Sequence, residues 1–140
     1  MIVLDTPVVS ELMRDRPRAD VLAWLDEQPT RALFVTAVTE AEVLTGIAFL
    51  PEGRRKRTLA GAAKRTFGGL MGGRVLPFDS SAAHAYVEIA AARRAAGRPI
   101  SQSDGQIAAI ALSHSMAIAT RNVRDFEDMG IDLINPWTVT

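Results

Sequence analysis

Short apolar runs alternate along the chain with longer segments of helical periodicity. The runs cover Ile2–Leu4, 32–35, 74–78, 116–120 and 131–134. They are brief and do not alternate between apolar and polar positions, which is typical of strands buried on both faces of a sheet. The order of runs and helical segments therefore predicts an α/β fold, with a compact parallel sheet flanked by helices on both faces.

The segments between the strands have helical spacing and helix boundary residues. Pro51 and the Gly97–Pro99 segment are expected to end helices, and a capping box over 103–106 is expected to begin one. Helices are predicted from Ser10 to near Pro17, over 20–27, from Thr36 or Thr39 to about Leu50, within 51–70, from Asp79 or Ser80 to Ala96, and from the capping box to His114.

Length and composition indicate one globular domain. The chain has 140 residues, 48% of them hydrophobic, and no repeat or linker divides 1–140. The absence of cysteine excludes a disulfide framework, a zinc–thiolate site and a cysteine nucleophile. The first residues do not have the pattern of a signal peptide, and no apolar run approaches the roughly 18 residues of a membrane span. We therefore expect a cytoplasmic protein.

Charge is balanced overall, with 16 basic and 16 acidic residues. This excludes a protein that is basic throughout, so contacts with nucleic acid would have to come from a local patch. A run of four basic residues is equally consistent with a solvated helix face and with phosphate contact. These residues are Arg54, Arg55, Lys56 and Arg57.

Other polar and aromatic residues are expected to have structural roles only. Neither histidine has metal-ligand spacing to the other. Trp137 follows the last apolar run and is expected to fix the end of the chain. Three arginines in and after the alanine-rich segment are expected to lie in solvent: Arg93, Arg94 and Arg98.

Acidic residues occur where predicted strands end. Asp5 follows the first strand, Asn122 and Asp125 follow the strand over 116–120, and Asp104 begins the helix that leads into that strand. Ligands of open parallel sheets bind beyond the carboxyl ends of the strands, so these side chains could meet at one edge. Carboxylates held together favour a hard cation such as Mg²⁺ or Mn²⁺, and such an ion suits phosphodiester hydrolysis. Taken singly, Asp104 is better explained as a first-turn acid, and Asp125 as a surface residue.

Two glutamates of one predicted helix are candidates for this site. Glu40 shares the apolar stripe with Val43 and Ile47, whereas Glu42 lies on a mixed face with Gly46. Periodicity alone therefore favours Glu40 as the buried acid and does not select Glu42.

Six fragments together resemble the PIN domain, and most closely its VapC/FitB group, over essentially the whole chain. They are Ile-Val-Leu-Asp-Thr at 2–6, Val-Thr-Glu-Ala-Glu-Val-Leu-Thr-Gly at 38–46, Leu-Pro-Phe-Asp at 76–79, Ser-Asp-Gly-Gln-Ile-Ala-Ala at 103–109, Ala-Thr-Arg-Asn-Val-Arg-Asp-Phe at 119–126 and Asn-Pro-Trp at 135–137. Each fragment is weak evidence alone, but their order and spacing make a specific pattern.

The resemblance implies a PIN-like fold and a Mg²⁺- or Mn²⁺-dependent endoribonuclease that is the toxin of a type II toxin–antitoxin system. It implies an RNA substrate, a small antitoxin partner and a homodimer. The family's metal-binding acids correspond to Asp5, Glu42 and Asp104, and Glu42 is matched because it precedes Val-Leu-Thr-Gly as the family glutamate precedes its glycine. The hydroxyls that support the site correspond to Thr6 and Thr120.

The sequence departs from the family pattern at two positions. Pro7 stands where relatives often have Asn or Ser, and the fourth acidic position is Asn122, with Asp125 three residues later. Asn122 can ligate but brings no negative charge. These departures leave open a catalytically weak or inactive PIN domain that acts as an RNA- or partner-binding module. A phosphotransfer domain on a similar sheet is disfavoured, because Pro7 removes the acid pair that such a domain needs after its first strand.

Overall fold

The computed structural model describes residues 1–138, and in this part of the chain five parallel strands form one sheet. Their order across the sheet is β3-β2-β1-β4-β5. The strands are β1 (Ile2–Leu4), β2 (Leu33–Thr36), β3 (Val75–Leu76), β4 (Ala117–Ala119) and β5 (Leu133–Ile134). The predicted parallel α/β fold is confirmed. Strand β2 is shifted by one residue relative to its apolar run, and β3, β4 and β5 are two or three residues shorter than theirs.

α-Helices connect β1 to β2, β2 to β3 and β3 to β4. Three of the four connections between strands contain further short segments, the first of which is a 3₁₀ turn, Thr30–Ala32. The helices are α1 (Thr6–Leu12), α2 (Ala19–Asp26), α3 (Ala37–Ala48), α4 (Arg54–Lys64), α5 (Ser80–Ala95) and α6 (Gln102–Ser113). A π-helical segment, Arg65–Leu70, continues α4, and a 3₁₀ turn, Val123–Phe126, follows β4. None of the helices within 1–138 has the length and apolar character needed to cross a membrane.

The first helix begins earlier than the sequence predicts. It starts at Thr6 rather than at Ser10, with Pro7 in its first turn. A proline is tolerated there because the first backbone N–H groups of a helix have no partner within the helix. The predicted start at Ser10 was wrong, and Thr6 lies at the helix start, directly after Asp5.

The two faces of the sheet are covered by separate apolar clusters. Leu4 of β1 packs with side chains of α1 to α4, including Val43 and Ile47. Its neighbour Val3 packs with side chains of α5 and α6, including Ile107. Adjacent residues of a strand point to opposite faces, so one continuous apolar run supplies both clusters.

Helix α6 begins at a different cap from the one predicted. Ser101 is the cap, and its hydroxyl accepts a hydrogen bond from the Asp104 backbone N–H at 3.2 Å, so the box over 103–106 is not used. Next to Asp104, a Cβ atom on Gly105 would lie 2.8 Å from Cε2 of Tyr86. The glycine therefore permits the close approach of α6 to α5 that positions Asp104.

The chain reverses its direction of strand addition between β1 and β4. From β1 it adds β2 and β3 on one side, and then returns to add β4 and β5 on the other. At such a switch point the connections leave the sheet in opposite directions, so a crevice opens beyond the strand ends. Asp5 and Thr120 directly follow β1 and β4 and therefore border this crevice.

Candidate active site

Asp5 is a buried carboxylate at the end of β1, with 2% of its surface exposed. Leu4 pairs with Ala119 in the sheet, which brings Thr120 beside Asp5. The Thr120 hydroxyl donates to Oδ2 of Asp5 at 2.7 Å, and it accepts a hydrogen bond from the Asn122 backbone N–H at 3.0 Å. The strand pairing therefore determines the position and orientation of this carboxylate.

Glu42 is held by a chain of threonine hydroxyls. The Thr6 hydroxyl donates to Oε1 of Glu42 at 2.8 Å, and the buried Thr39 hydroxyl lies 3.0 Å from that of Thr6. A hydroxyl has one proton, so Thr39 donates to Thr6 while Thr6 donates to Glu42. From the sequence, Thr39 was predicted only as a possible cap of this helix, and the cap is Thr36 instead. Thr39 lies one helical turn before Glu42, and this spacing could have indicated that the two side chains share one side of the helix.

Glu40 lies in a different place. It is half-buried and borders a separate apolar groove between α3 and the α4 segment, together with Leu44, Lys64 and Phe67. The structure thus brings Glu42, and not Glu40, to the Thr6 hydroxyl next to Asp5.

Asp104 lies in the first turn of α6 and is half-buried. Its burial raises the pKa of its carboxyl, while the hydrogen bond at Ser101 acts in the opposite direction. The negative charges of Asp125 and Glu42 raise this pKa further. Asp104 therefore lies within electrostatic reach of two acids that come from other elements.

Burial likewise raises the pKa of Asp5, from an ordinary 3.8 to about 6. The hydrogen bond from Thr120 opposes this change, whereas the charges of Asp104 and Glu42 add to it. Burial is the main cause of the raised pKa, and the smaller contributions of Asp104 and Glu42 indicate that the three carboxylates lie near enough to repel one another.

Asn122 and Asp125 lie on the 3₁₀ turn after β4. The Asp125 backbone N–H donates to the Asn122 carbonyl at 3.0 Å, and the adjacent Phe126 anchors the turn in the core. Asn122 caps the turn Val123–Phe126, which contains Asp125, so this backbone bond holds the two residues one turn apart. Within 1–138, Asp125 makes no ion pair with Arg121 or Arg124, so its charge is not neutralised by either arginine.

Arg93 holds this turn from α5, contrary to the prediction that it lies in solvent. It is 8% exposed, and its guanidinium donates to the carbonyl of Asp125 at 2.6 Å, with longer contacts to those of Arg98 and Glu127 at 3.3 and 3.4 Å. The alanine-rich sequence of α5 carries little periodicity, so it did not distinguish Arg93 from the exposed Arg94. Arg98 is exposed, as predicted, and pairs on the surface with Asp128 at 3.3 Å.

The basic run after Pro51 divides into two groups. Arg54 and Arg55 border the same groove as Thr6 and Glu42. Lys56 instead bonds to the Glu52 carboxylate at 2.7 Å and to the Ala48 carbonyl at 3.2 Å, so it closes the end of α3. Arg57 does not border the groove.

The acids fit a divalent cation by their chemistry. No three His, Cys, Asp or Glu side chains within 1–138 are close enough together to enclose an ion as they stand. The nearby ligands are carboxylate oxygens, which Mg²⁺ and Mn²⁺ prefer, and their mutual repulsion would be relieved by a positive charge between them.

Comparison with known proteins shows the family to which the chain belongs. A sequence profile described as the PIN domain matches residues 2–131. VapC ribonuclease Y4jK of Sinorhizobium fredii is 42% identical over 137 residues, which cover 98% of each chain. Toxin FitB of Neisseria gonorrhoeae is 38% identical over 137 residues, which cover 98% of this chain and 99% of FitB.

Solved structures show the same fold. A chain in the structure of FitAB bound to an IR36 DNA fragment superposes with a TM-score of 0.92 at 38% identity, covering 100% of this chain and 98% of that one. A chain of DNA-bound VapBC from Salmonella typhimurium gives a TM-score of 0.81 at 24% identity, covering 96% and 97%, which supports the fold. The match over 2–131 and the identity to VapC and FitB over nearly the whole length show that this chain belongs to the PIN-domain family, within its VapC/FitB group of toxin–antitoxin proteins.

Proposed function

We propose that this protein is a Mg²⁺- or Mn²⁺-dependent endoribonuclease that acts as the toxin of a toxin–antitoxin pair. The observation that carries the proposal is the set of mutually repelling carboxylates of Asp5, Glu42 and Asp104, two of them oriented by threonine hydroxyls. A structural cluster of acids would gain stability from bonds to cations, yet within 1–138 none of these three carboxylates has an ion-pair partner. Such an arrangement is unfavourable for folding and is explained by a function that needs the charges.

Asp5, Glu42 and Asp104 would hold the ion, which supplies Lewis-acid chemistry for hydrolysis of a phosphodiester. Thr120 and Thr6 keep the carboxylates of Asp5 and Glu42 in place before substrate arrives. Glu42 is exposed to the groove, so it is the carboxylate in the best position to accept the proton of the attacking water.

Pro7 does not count against this activity. The N–H that it lacks would have no helical partner at the start of α1, and the bond from Thr6 to Glu42 forms beside it. The reduced charge at Asn122 is compensated in part by Asp125, whose charge raises the pKa of Asp104. A catalytically inactive binding module is thus the less favoured alternative.

The proposed activity is tested by a matched pair of variants in α3. Glu42→Gln is expected to lower the rate of single-stranded RNA cleavage by about 100-fold or more, because it removes a ligand and proton acceptor. Glu40→Gln, two residues away in the separate groove, is expected to stay within about threefold of wild type. RNA cleavage in Mg²⁺, with a thermal melt as fold control, measures both. Loss of cleavage in Glu40→Gln together with retention in Glu42→Gln would overturn the assignment.

The role of Asp125 is testable by metal titration. Asp125→Asn is expected to lower cleavage by about 10-fold and to raise the Mg²⁺ concentration for half-maximal rate, because the site loses a nearby negative charge. Asn122→Asp in the same background is expected to restore part of both. If Asp125→Asn has the wild-type rate and Mg²⁺ dependence, then Asp125 has no part in the site.

The antitoxin partner is proposed from relatives. The FitAB and VapBC structures are toxin–antitoxin complexes, and FitB matches this chain over almost its full length. A small protein encoded beside this one is expected to co-purify with it and to inhibit its cleavage of RNA. Growth that is unaffected by expression of the chain alone, with no co-purifying partner, counts against the pair. Homodimer formation stays a prediction.

A further inference from the structure

A groove extends from the candidate active site along α1 and α3. Thr6 borders it at the start of α1 and Glu42 in the middle of α3, and Met13 and Leu50 border it just beyond the ends of these helices. From Glu42 to Leu50 is about 12 Å along the helix axis. The groove has a volume of about 1430 Å³, and it therefore offers room for a chain segment that continues beyond the acid site.

The groove is basic although the protein as a whole is neutral. Five arginines border it: Arg14, Arg16, Arg54, Arg55 and Arg121. Three acids also border it, and one of them, Glu11, is bonded to Arg14 at 3.4 Å. Apolar side chains, including Ile47 and Leu59, lie between the charges. Positive charges beside apolar surface suit a single nucleic-acid strand, whose phosphates and bases need both.

Arg121 is the arginine of this groove that is adjacent in sequence to residues of the acid site. It stands between Thr120, which bonds to Asp5, and Asn122, whose backbone N–H bonds to the Thr120 hydroxyl. Its guanidinium carbon lies 5.1 Å from the centre of the Trp137 ring. Such a cation–π contact contributes on the order of 1 kcal/mol and limits the motion of the arginine.

Arg121 makes no ion pair within the described chain, although it borders the same groove as Glu42. Its side chain is exposed, and its guanidinium donors are in no hydrogen bond to residues 1–138. Trp137 is itself held in place, because it packs on the core and its backbone N–H donates to Asn135 Oδ1 at 3.0 Å. Thus a charged planar donor lies beside the acid site without a hydrogen-bond partner among residues 1–138.

We propose that Arg121, braced on the ring of Trp137, binds an RNA phosphate at the entrance to the acid site, and that the basic groove carries the adjoining single strand. The inference rests on the proposed ribonuclease function and names the way in which that site holds its substrate. Two parallel N–H groups of a guanidinium bind phosphate oxygens well, and the planar group can keep its contact with the ring while it does so. Arg57, in the same basic run but outside the groove, takes no part.

Binding of a fluorescent single-stranded RNA oligonucleotide tests the proposal separately from cleavage. In the Glu42→Gln background with Mg²⁺ present, Arg121→Gln is expected to weaken binding about 5- to 10-fold and to lower the salt dependence of log K by about 0.7, the value for one phosphate contact on a single strand. Arg121→Lys should keep the salt dependence but lose affinity, and Trp137→Phe should lie between Arg121→Lys and the parent. Arg57→Gln is the control with the same charge change and should alter neither value by a comparable amount.

Unchanged affinity and salt dependence in Arg121→Gln would overturn the proposal, as would an equal loss in Arg57→Gln. Loss of antitoxin binding without loss of RNA binding would assign the residue to the protein partner instead, and would overturn it too. The outcome is separate from that of the proposed function. A wild-type protein that binds RNA through Arg121 but never cleaves it leaves the binding proposal standing, whereas a cleaving enzyme with an unaltered KM in Arg121→Gln refutes it.

Discussion

Replacing Asp5 by asparagine is expected to abolish RNA cleavage and, in EDTA, to make the protein more stable above pH 6. The carboxyl is buried, and its pKa is raised from 3.8 to about 6 in the folded protein. Between these values the folded state still holds a proton that the unfolded state has released, so stability decreases as pH rises through this range. Above about pH 6 the loss of stability caused by the ionised carboxylate reaches its full value of about 3 kcal/mol.

Asparagine carries no charge and can still accept the Thr120 hydrogen bond, so Asp5→Asn should recover much of this free energy. Urea denaturation in EDTA from pH 4 to pH 8 measures it, and the difference from wild type should be small near pH 4 and largest above pH 6. The control is Asp132→Asn, an exposed aspartate outside the site, which should change stability by less than about 0.5 kcal/mol. Equal stability of wild type and Asp5→Asn at pH 8 contradicts the raised pKa.

Replacing Arg93 by methionine is expected to destabilise the protein by about 2 to 4 kcal/mol and to impair the site as well. The variant keeps the aliphatic length of the side chain but leaves the carbonyls of Asp125 and Glu127 without their charged donor. The turn after β4 would then be free to shift, and Asp125 with it. We therefore also expect a higher Mg²⁺ requirement for cleavage.

Arg94→Met is the matched control for Arg93→Met. Its side chain is exposed on the same helix, so the same substitution should change stability by less than about 0.5 kcal/mol. Chemical denaturation and a Mg²⁺ titration of cleavage measure the two variants together. A destabilised Arg93→Met protein with unaltered Mg²⁺ dependence would show that the arginine supports the fold alone.

Strand ends were the part of the site that the sequence could predict. Asp5 and Asn122 follow apolar runs directly, and parallel strands in one sheet end at one edge. Because Leu4 pairs with Ala119, the residues that follow them, Asp5 and Thr120, lie beside each other. The sequence predicted that these residues could meet at one edge of the sheet, because apolar runs show where strands end. It did not predict the order of the strands, on which the crevice between β1 and β4 depends.

Helix periodicity did not identify Glu42 as the glutamate of the site, and the reason lies in how α3 packs against its neighbours. The stripe of α3 with Val43 and Ile47 faces the core, and Glu40 lies at its edge toward α4. The site lies instead toward α1, where Glu42 meets Thr6. Periodicity identifies the face of α3 that packs on the sheet, but it does not show which helices pack on either side of that face. Arg93 was missed for a related reason, because its partners are backbone carbonyls that no side-chain pattern reveals.

Cleavage of single-stranded RNA by the purified protein, first in EDTA and then with Mg²⁺ or Mn²⁺ added back, tests the central proposal most directly. The acid site predicts no cleavage in EDTA, recovery on addition of either ion, and no recovery in Asp5→Asn at any ion concentration. Cleavage that continues in EDTA, or that Asp5→Asn retains, would contradict a metal-dependent ribonuclease built on these carboxylates.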